Sequence, residues 1–134
     1  MRFMMLMIPN LPDDRDWMPT AGDVATMSRY NETLAQAGVL LALDGLHPPG
    51  EGVRLSFKAG KAVVTDGPFT EAKELIGGYW IIQAKSKEEA VEWASRCPVN
   101  DEHAVIEIRQ IFDMSDLPAD VQEAGKLSTP PSAG

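Results

Sequence analysis

Segments that are apolar on both of their alternating faces set the tightest limit on how this chain can fold. In Arg2–Ile8, Met4, Leu6 and Ile8 form one alternating set, and Phe3, Met5 and Met7 form the other. Val39–Leu43 and Tyr79–Ile82 also lack a polar face. A strand of this kind is covered on both sides, because either face would otherwise lie in water. Two further segments do alternate. Val53, Leu55 and Phe57 are interleaved with Arg54, Ser56 and Lys58, which predicts a half-exposed strand. Ala104, Ile106 and Ile108 are interleaved with Val105, Glu107 and Arg109 in the same way.

Helical signals fall between these segments. Thr20-Ala21-Gly22-Asp23 has the form of a capping box, with Asp in place of the longer Glu. Val24, Met27, Tyr30, Leu34 and Ala37 then recur at spacings of three and four, one stripe of a helix. Gly38 suits the left-handed position just beyond its end. Ser86-Lys87-Glu88-Glu89 opens a second helix with Ala90, Val91, Ala94 and Cys97 as its buried stripe, and Pro98 stops it. Ala59-Gly60 turns the Val53 strand back into Lys61–Thr65 as a hairpin. Thr70 to Leu75 has the pattern of a short capped helix, and Gly77-Gly78 breaks it.

Strand, helix, strand therefore occurs twice with a hairpin between. That order predicts an α+β fold, the ferredoxin-like split βαβ sandwich with an inserted β-hairpin. Its first and third core strands lie in the middle of the sheet, and those are the doubly apolar Arg2 and Tyr79 segments. Two helices cover only one sheet face, and the other also carries large apolar side chains. An uncovered face of that kind exceeds the patch typical of a monomer, so a two-fold homodimer closing sheet on sheet is expected. The ferredoxin-like domain is expected over residues 1–112, and 113–134 as a C-terminal extension that is polar after Phe112, with one or two helical turns over Pro118–Lys126.

Charge and cysteine usage narrow the function classes. The net charge is −8, which disfavours sequence-independent binding to nucleic acid and to anionic membranes, since both need Lys and Arg facing phosphates. Cys97 is the single cysteine, so neither an internal disulfide nor a cysteine zinc site is expected, and a reducing cytoplasm is the simplest setting. Met1–Ile8 is apolar but short, has no basic cluster, and is closed by Pro9-Asn10-Leu11-Pro12, so it reads as a strand and not a signal peptide. No apolar run approaches the roughly 18 residues of a membrane span.

The most distinctive stretch is Val64-Thr65-Asp66-Gly67-Pro68-Phe69-Thr70-Glu71-Ala72-Lys73-Glu74, followed by Ile76-Gly77-Gly78-Tyr79-Trp80. Together with Gly38-Val39-Leu40 and Asp44-Gly45-Leu46-His47-Pro48, it resembles the DGPF branch of the YCII-related proteins, over roughly residues 2 to 112. The resemblance implies a dimeric α/β barrel and, in most members, no assigned activity. Better-understood YCII relatives use a histidine on the first helix with a nearby aspartate. Here the histidines are His47 and His103, and Met27 and Tyr30 occupy the inward stripe of that helix, so the dyad is not carried over.

Asp66, Glu71 and Glu74 with Lys73 concentrate charge beside apolar rings, and Glu71 and Glu74 share one face of a short helix. Carboxylates crowded in such a place hold a proton near neutral pH and serve as acid or base. Against this stands a plainer reading, in which Asp66 orders its own turn and the glutamates are solvated. His47 belongs to a residue type that titrates near physiological pH, although a loop histidine is more often unremarkable. Asp66, Glu74 and His47 are thus the candidate catalytic groups. Phe69, Glu71, Lys73, Trp80 and Tyr30 are the candidates to wall a substrate pocket, with core packing the rival role for the aromatics. No metal site or cofactor is expected, since the ligand spacing matches no known pattern and there is no phosphate loop, dinucleotide fingerprint or nucleophile elbow.

Two functions remain open at this level. One is a small-molecule enzyme with lyase- or isomerase-like acid–base chemistry near a dimer interface, acting on an unknown ligand. The other is a non-catalytic ligand-binding or accessory protein, linked through the resemblance to sigma-factor and stress regulation.

Overall fold

The computed structural model describes residues 1–9, 18–67, 75–99 and 104–126. Among the described residues, six strands and three helices follow in the order β1 (Arg2–Ile8), α1 (Ala21–Gln36), β2 (Leu40–Gly45), β3 (Val53–Lys58), β4 (Lys61–Asp66), β5 (Gly78–Gln83), α2 (Lys87–Ser95), β6 (Val105–Gln110) and α3 (Ala119–Lys126). Short 3-10 turns occupy Pro49–Glu51 and Met114–Asp116. The main sheet runs β2-β5-β1-β6, and every neighbouring pair is antiparallel. This is the ferredoxin-like order, with β1 and β5 in the middle as their doubly apolar sequences demand.

Hydrogen-bond registers assign the faces. Phe3, Met5 and Met7 of β1 stand beside Ile82, Trp80 and Gly78 of β5, and beside Gln110, Ile108 and Ile106 of β6. Phe3, Met5 and Ile82 are almost wholly buried, and they pack with Tyr30 and Leu34 of α1 and Ala90 and Ala94 of α2 in one core. Both helices therefore cover this face. The opposite face carries Met4, Leu6, Ile8 and Ile81, all half-buried, with Val105 exposed at the edge.

Helix starts are chemically specified. Thr20 Oγ1 accepts the Asp23 amide at 3.1 Å, and the Asp23 carboxylate accepts the Thr20 amide at 3.2 Å, so the shortened capping box closes. At α2, Ser86 Oγ accepts the Glu89 amide at 3.1 Å, but Glu89 reaches back to the Lys85 amide at 3.0 Å instead of to Ser86. The stripes are narrower than their spacing predicts: Val24 and Val91 are exposed, while Trp93 of α2 packs against the core. Gly38, with φ of 75°, takes the left-handed position after α1.

β3 and β4 form a separate two-stranded sheet, outside the four-stranded core. Its register runs from Val53 opposite Asp66 to Lys58 opposite Lys61, around a two-residue turn. Ala59 and Gly60 both have positive φ, 52° and 78°, the signature of a type I′ turn. Every residue of both strands is exposed. Alternation predicts one covered face here; the hairpin leaves the sheet, and nothing among the described residues covers either side. The expected short helix over Thr70–Leu75 and the tail from Leu127 to Gly134 lie almost wholly outside the described residues.

Candidate functional site

Side chains from distant parts of the sequence converge where β2 ends and β5 begins. Asp44 stands opposite Tyr79 in the register, and the Tyr79 hydroxyl donates to Asp44 Oδ2 at 3.0 Å. One step along, Leu43 stands opposite Trp80. The Trp80 indole N–H donates to Asn31 Oδ1 at 2.8 Å, which ties the sheet to α1 and fixes the amide's orientation. Met27, one helical turn before Asn31, completes the wall of a pocket of about 240 Å³ lined by Met7, Met27, Asn31, Leu43, Asp44 and Trp80 among others. Gly78, opposite Gly45, is part of the same wall. A side-chain carbon at Gly78 would come within 2.9 Å of the Asp44 carbonyl oxygen, so glycine is what lets β5 close against β2 here.

A wider hollow of about 550 Å³ adjoins it, lined by Leu46–Pro49, Val53, Arg54 and Ile76 among others. Gly45 lines the first hollow and Leu46 the second, as do Gly77 and Ile76 on the facing segment, and the Leu46 amide bonds the Gly77 carbonyl at 2.9 Å. The Gly67 amide donates to the Gly52 carbonyl at 3.0 Å. A side chain at Gly67 would fall onto the Pro49 carbonyl oxygen. The glycine that follows Asp66 thus lets the β4 exit lie flat on the loop that builds this hollow.

The charges behave differently in the two places. Hydrogen bonding to Asp44, then that carboxylate's negative charge, then partial burial raise the Tyr79 phenol above its ordinary range. Tyr79 therefore keeps its proton and acts as a donor across the neutral range. In the wider hollow, His47 Nδ1 lies 2.7 Å from Glu51 Oε2, with the two side chains 89% and 62% exposed. A pair that wet is worth little to stability.

The sequence candidates fall into separate places. His47 lines the wider hollow, while Asp66 closes β4 opposite Val53 and is exposed. Trp80 walls the smaller pocket and is also core. Tyr30 is buried beside it, ring edge against ring face, with centroids 6.0 Å apart and planes at 86°. The Tyr30 hydroxyl donates to the Trp93 carbonyl at 2.7 Å, so its polar end joins α1 to α2. Burial pushes that phenol well upward, the nearby Cys97 adds to the rise, and Arg96 opposes it. Phe69, Glu71, Lys73 and Glu74 lie outside the described residues. Among the described residues no group of three or more His, Cys, Asp or Glu side chains is placed to hold a metal ion, and no helix is long and apolar enough to cross a membrane.

Asn31, Asp44 and the Tyr79 hydroxyl are the functional candidates that the sequence pattern did not single out. Asp44-Gly45 reads as a strand end and Tyr79 as strand filling; only strand pairing brings them together. The arrangement is a small, mostly apolar cavity with the Asn31 amide on its α1 side, and the Asp44–Tyr79 pair at its border on the opposite face of the sheet.

Comparison with known proteins gives a family match and one relative. The YCII-related domain model matches residues 1–115. An uncharacterised protein of Rhizobium meliloti (strain 1021) is 34% identical over 68 residues, which are 51% of this chain and 55% of that protein. The matched segment thus spans about half the length of the relative.

Proposed function

Because the chain belongs to the YCII-related family, whose domain model covers residues 1–115, we propose that it is a small-molecule-binding protein with its site at the β2–β5 sheet end. The observation that carries this is the pocket between α1 and that sheet end. Met7, Met27, Leu43 and Trp80 supply apolar walls and Asn31 a polar group on the α1 side, while Asp44 and Tyr79, paired on the opposite sheet face, border the opening where β2 ends, the usual mix of apolar wall and few polar groups of a ligand site. The ligand it suits is a small apolar body carrying one hydrogen-bond donor for Asp44. A homodimer in a reducing cytoplasm is the setting we propose, with the open sheet face as the contact.

The Asp44–Tyr79 bond favours a second, catalytic reading. Asp44 is an acceptor already aligned by a proton-holding phenol, which suits removal of a proton from a bound molecule followed by its return at another position. That is the chemistry of an isomerase; in a lyase the electrons left by the removed proton would instead expel a leaving group of the bound molecule. Without turnover, the same site is that of an accessory binding protein of the kind associated with stress regulation.

A thermal-shift screen of small organic molecules against the wild-type chain tests both. A ligand at about 100 times its Kd stabilises the fold by about 2.7 kcal/mol. The expected result is a hit whose affinity drops at least tenfold in Asp44→Asn and in Tyr79→Phe. Hits that bind both variants as tightly as wild type place the site elsewhere and end this reading. Turnover of a hit by wild type, lost in Asp44→Asn with binding partly kept, separates catalysis from binding alone.

A further inference from the structure

The β3–β4 hairpin is an amphipathic arm with its apolar side uncovered. Its register puts Val53, Leu55 and Phe57 on one side with Ala62 and Val64 of the facing strand. Val53 is 60% exposed, Leu55 55%, Phe57 76% and Val64 61%. Arg54, Ser56, Lys58, Lys61 and Thr65 occupy the other side, with Val63 the one large apolar residue among them, and Asp66 closes the apolar side at its root opposite Val53. The main contacts of β3 and β4 are with each other. A two-stranded hairpin is at best marginally stable in water by itself, and a contiguous apolar strip of this kind marks an interaction surface.

We propose that this arm docks on a second copy of the same chain, extending onto the partner the two-fold sheet-face contact proposed above, on which this inference rests. Charge complementarity points to that occupant. The hairpin residues 53–66 carry Arg54, Lys58 and Lys61 against Asp66, a net of +2, within a chain of net −8, so the remainder carries −10. A basic arm laid on an acidic body is attracted to it, and reciprocal exchange satisfies both copies at once. The same −10 disfavours an anionic lipid bilayer as the seat, since the body would be repelled as the arm approached. The chain also offers a second unpartnered apolar surface, the open sheet face with Met4, Leu6 and Ile81, so one symmetric contact covers both. The arm's root, Val53 and Arg54, lines the wider hollow, so docking its tip on the partner would restrain that wall.

Light scattering on a sizing column across a dilution series tests the arm, on wild type, on Leu55→Ser/Phe57→Ser and on Ile81→Glu. The expected result is a wild-type dimer, a dissociation constant raised at least 100-fold by the arm variant, and unchanged far-ultraviolet circular dichroism, since neither substituted position is buried. Competition by salt is expected to weaken the wild-type dimer. A dimer that survives the arm substitutions but is lost in Ile81→Glu keeps the sheet-face contact and overturns the arm proposal. A wild-type chain that stays monomeric at 100-fold dilution steps up to its solubility limit overturns both. A monomer that binds phosphatidylserine vesicles through Leu55 and Phe57 overturns the proposal in favour of a lipid surface.

Discussion

Tyr30→Phe isolates a polar bond by which α1 holds α2. The hydroxyl donates to the Trp93 carbonyl at 2.7 Å, from a residue only 7% exposed. Deleting it leaves that carbonyl with a partner, because the Arg96 amide also bonds it at 3.2 Å. The large penalty of an orphaned buried acceptor therefore does not arise, and the loss is that of one net hydrogen bond, about 1 kcal/mol. The ring keeps its edge-to-face contact with Trp80. Tyr30→Ala, by contrast, removes the ring, at a cost of about 3–5 kcal/mol. Equilibrium urea unfolding, followed by tryptophan fluorescence, is the assay, with an unchanged denaturant slope as the check on two-state behaviour. On heating, Tyr30→Phe lowers Tm by about 4 °C. Alkaline pH gives an independent sign. The folded phenol titrates above its ordinary value of 10.0, so its contribution is intact below that pH and is lost as pH rises further. In Tyr30→Phe that part of the alkaline loss disappears. A penalty of about 3 kcal/mol or more for Tyr30→Phe, or none at all, refutes the account.

Two more outcomes follow from particular groups. Burial pushes the Cys97 thiol up from 9.0 to about 11, so its contribution to stability is whole below 9 and falls as pH rises through 11; the pH–rate profile for alkylation by iodoacetamide should centre near 11 in the native protein and near 9 in urea, and a native midpoint near 9 contradicts the burial. Ala59 sits at φ of 52°, a left-handed angle that costs a residue with a side chain roughly 1–2 kcal/mol, so Ala59→Asn, which restores an Asn-Gly type I′ pair, should slow amide exchange in the hairpin several-fold, and unchanged exchange argues against the turn.

The fold was legible because it is written in the strands. Phe3 and Met5 on one side of β1, and Met4 and Leu6 on the other, leave no alternative to a central position, and the observed order puts β1 between β5 and β6. The Asp44–Tyr79 site was not legible, for two reasons. The residues are far apart in the chain, and β2 has no alternation from which to assign faces. Its pairing with β5 shifts register between Leu40 and Ala42, and that bulge decides which way Asp44 points. The exposed arm was half legible. Alternation over Val53–Lys58 identified a strand with an apolar side, but covering that side takes a surface the alternation does not specify. The motif around Asp66 was read for its charges, whereas the glycine after Asp66 carries the structural constraint, the close approach to Pro49.

The central position of β1 has a consequence during synthesis. Phe3 pairs with Ile82 and with Gln110, so β1 has no partner strand until β5 has left the ribosome. At about 5–20 residues per second the delay is several seconds. Throughout it, Phe3, Met4, Met5, Leu6 and Met7 form an apolar strand with both edges open, the kind of segment that hold-and-release chaperones bind. Nascent chains shorter than β5 should therefore be the ones that aggregate or recruit such a chaperone, and chains that include β5 should escape, so the birth of this fold is timed by its fifth strand.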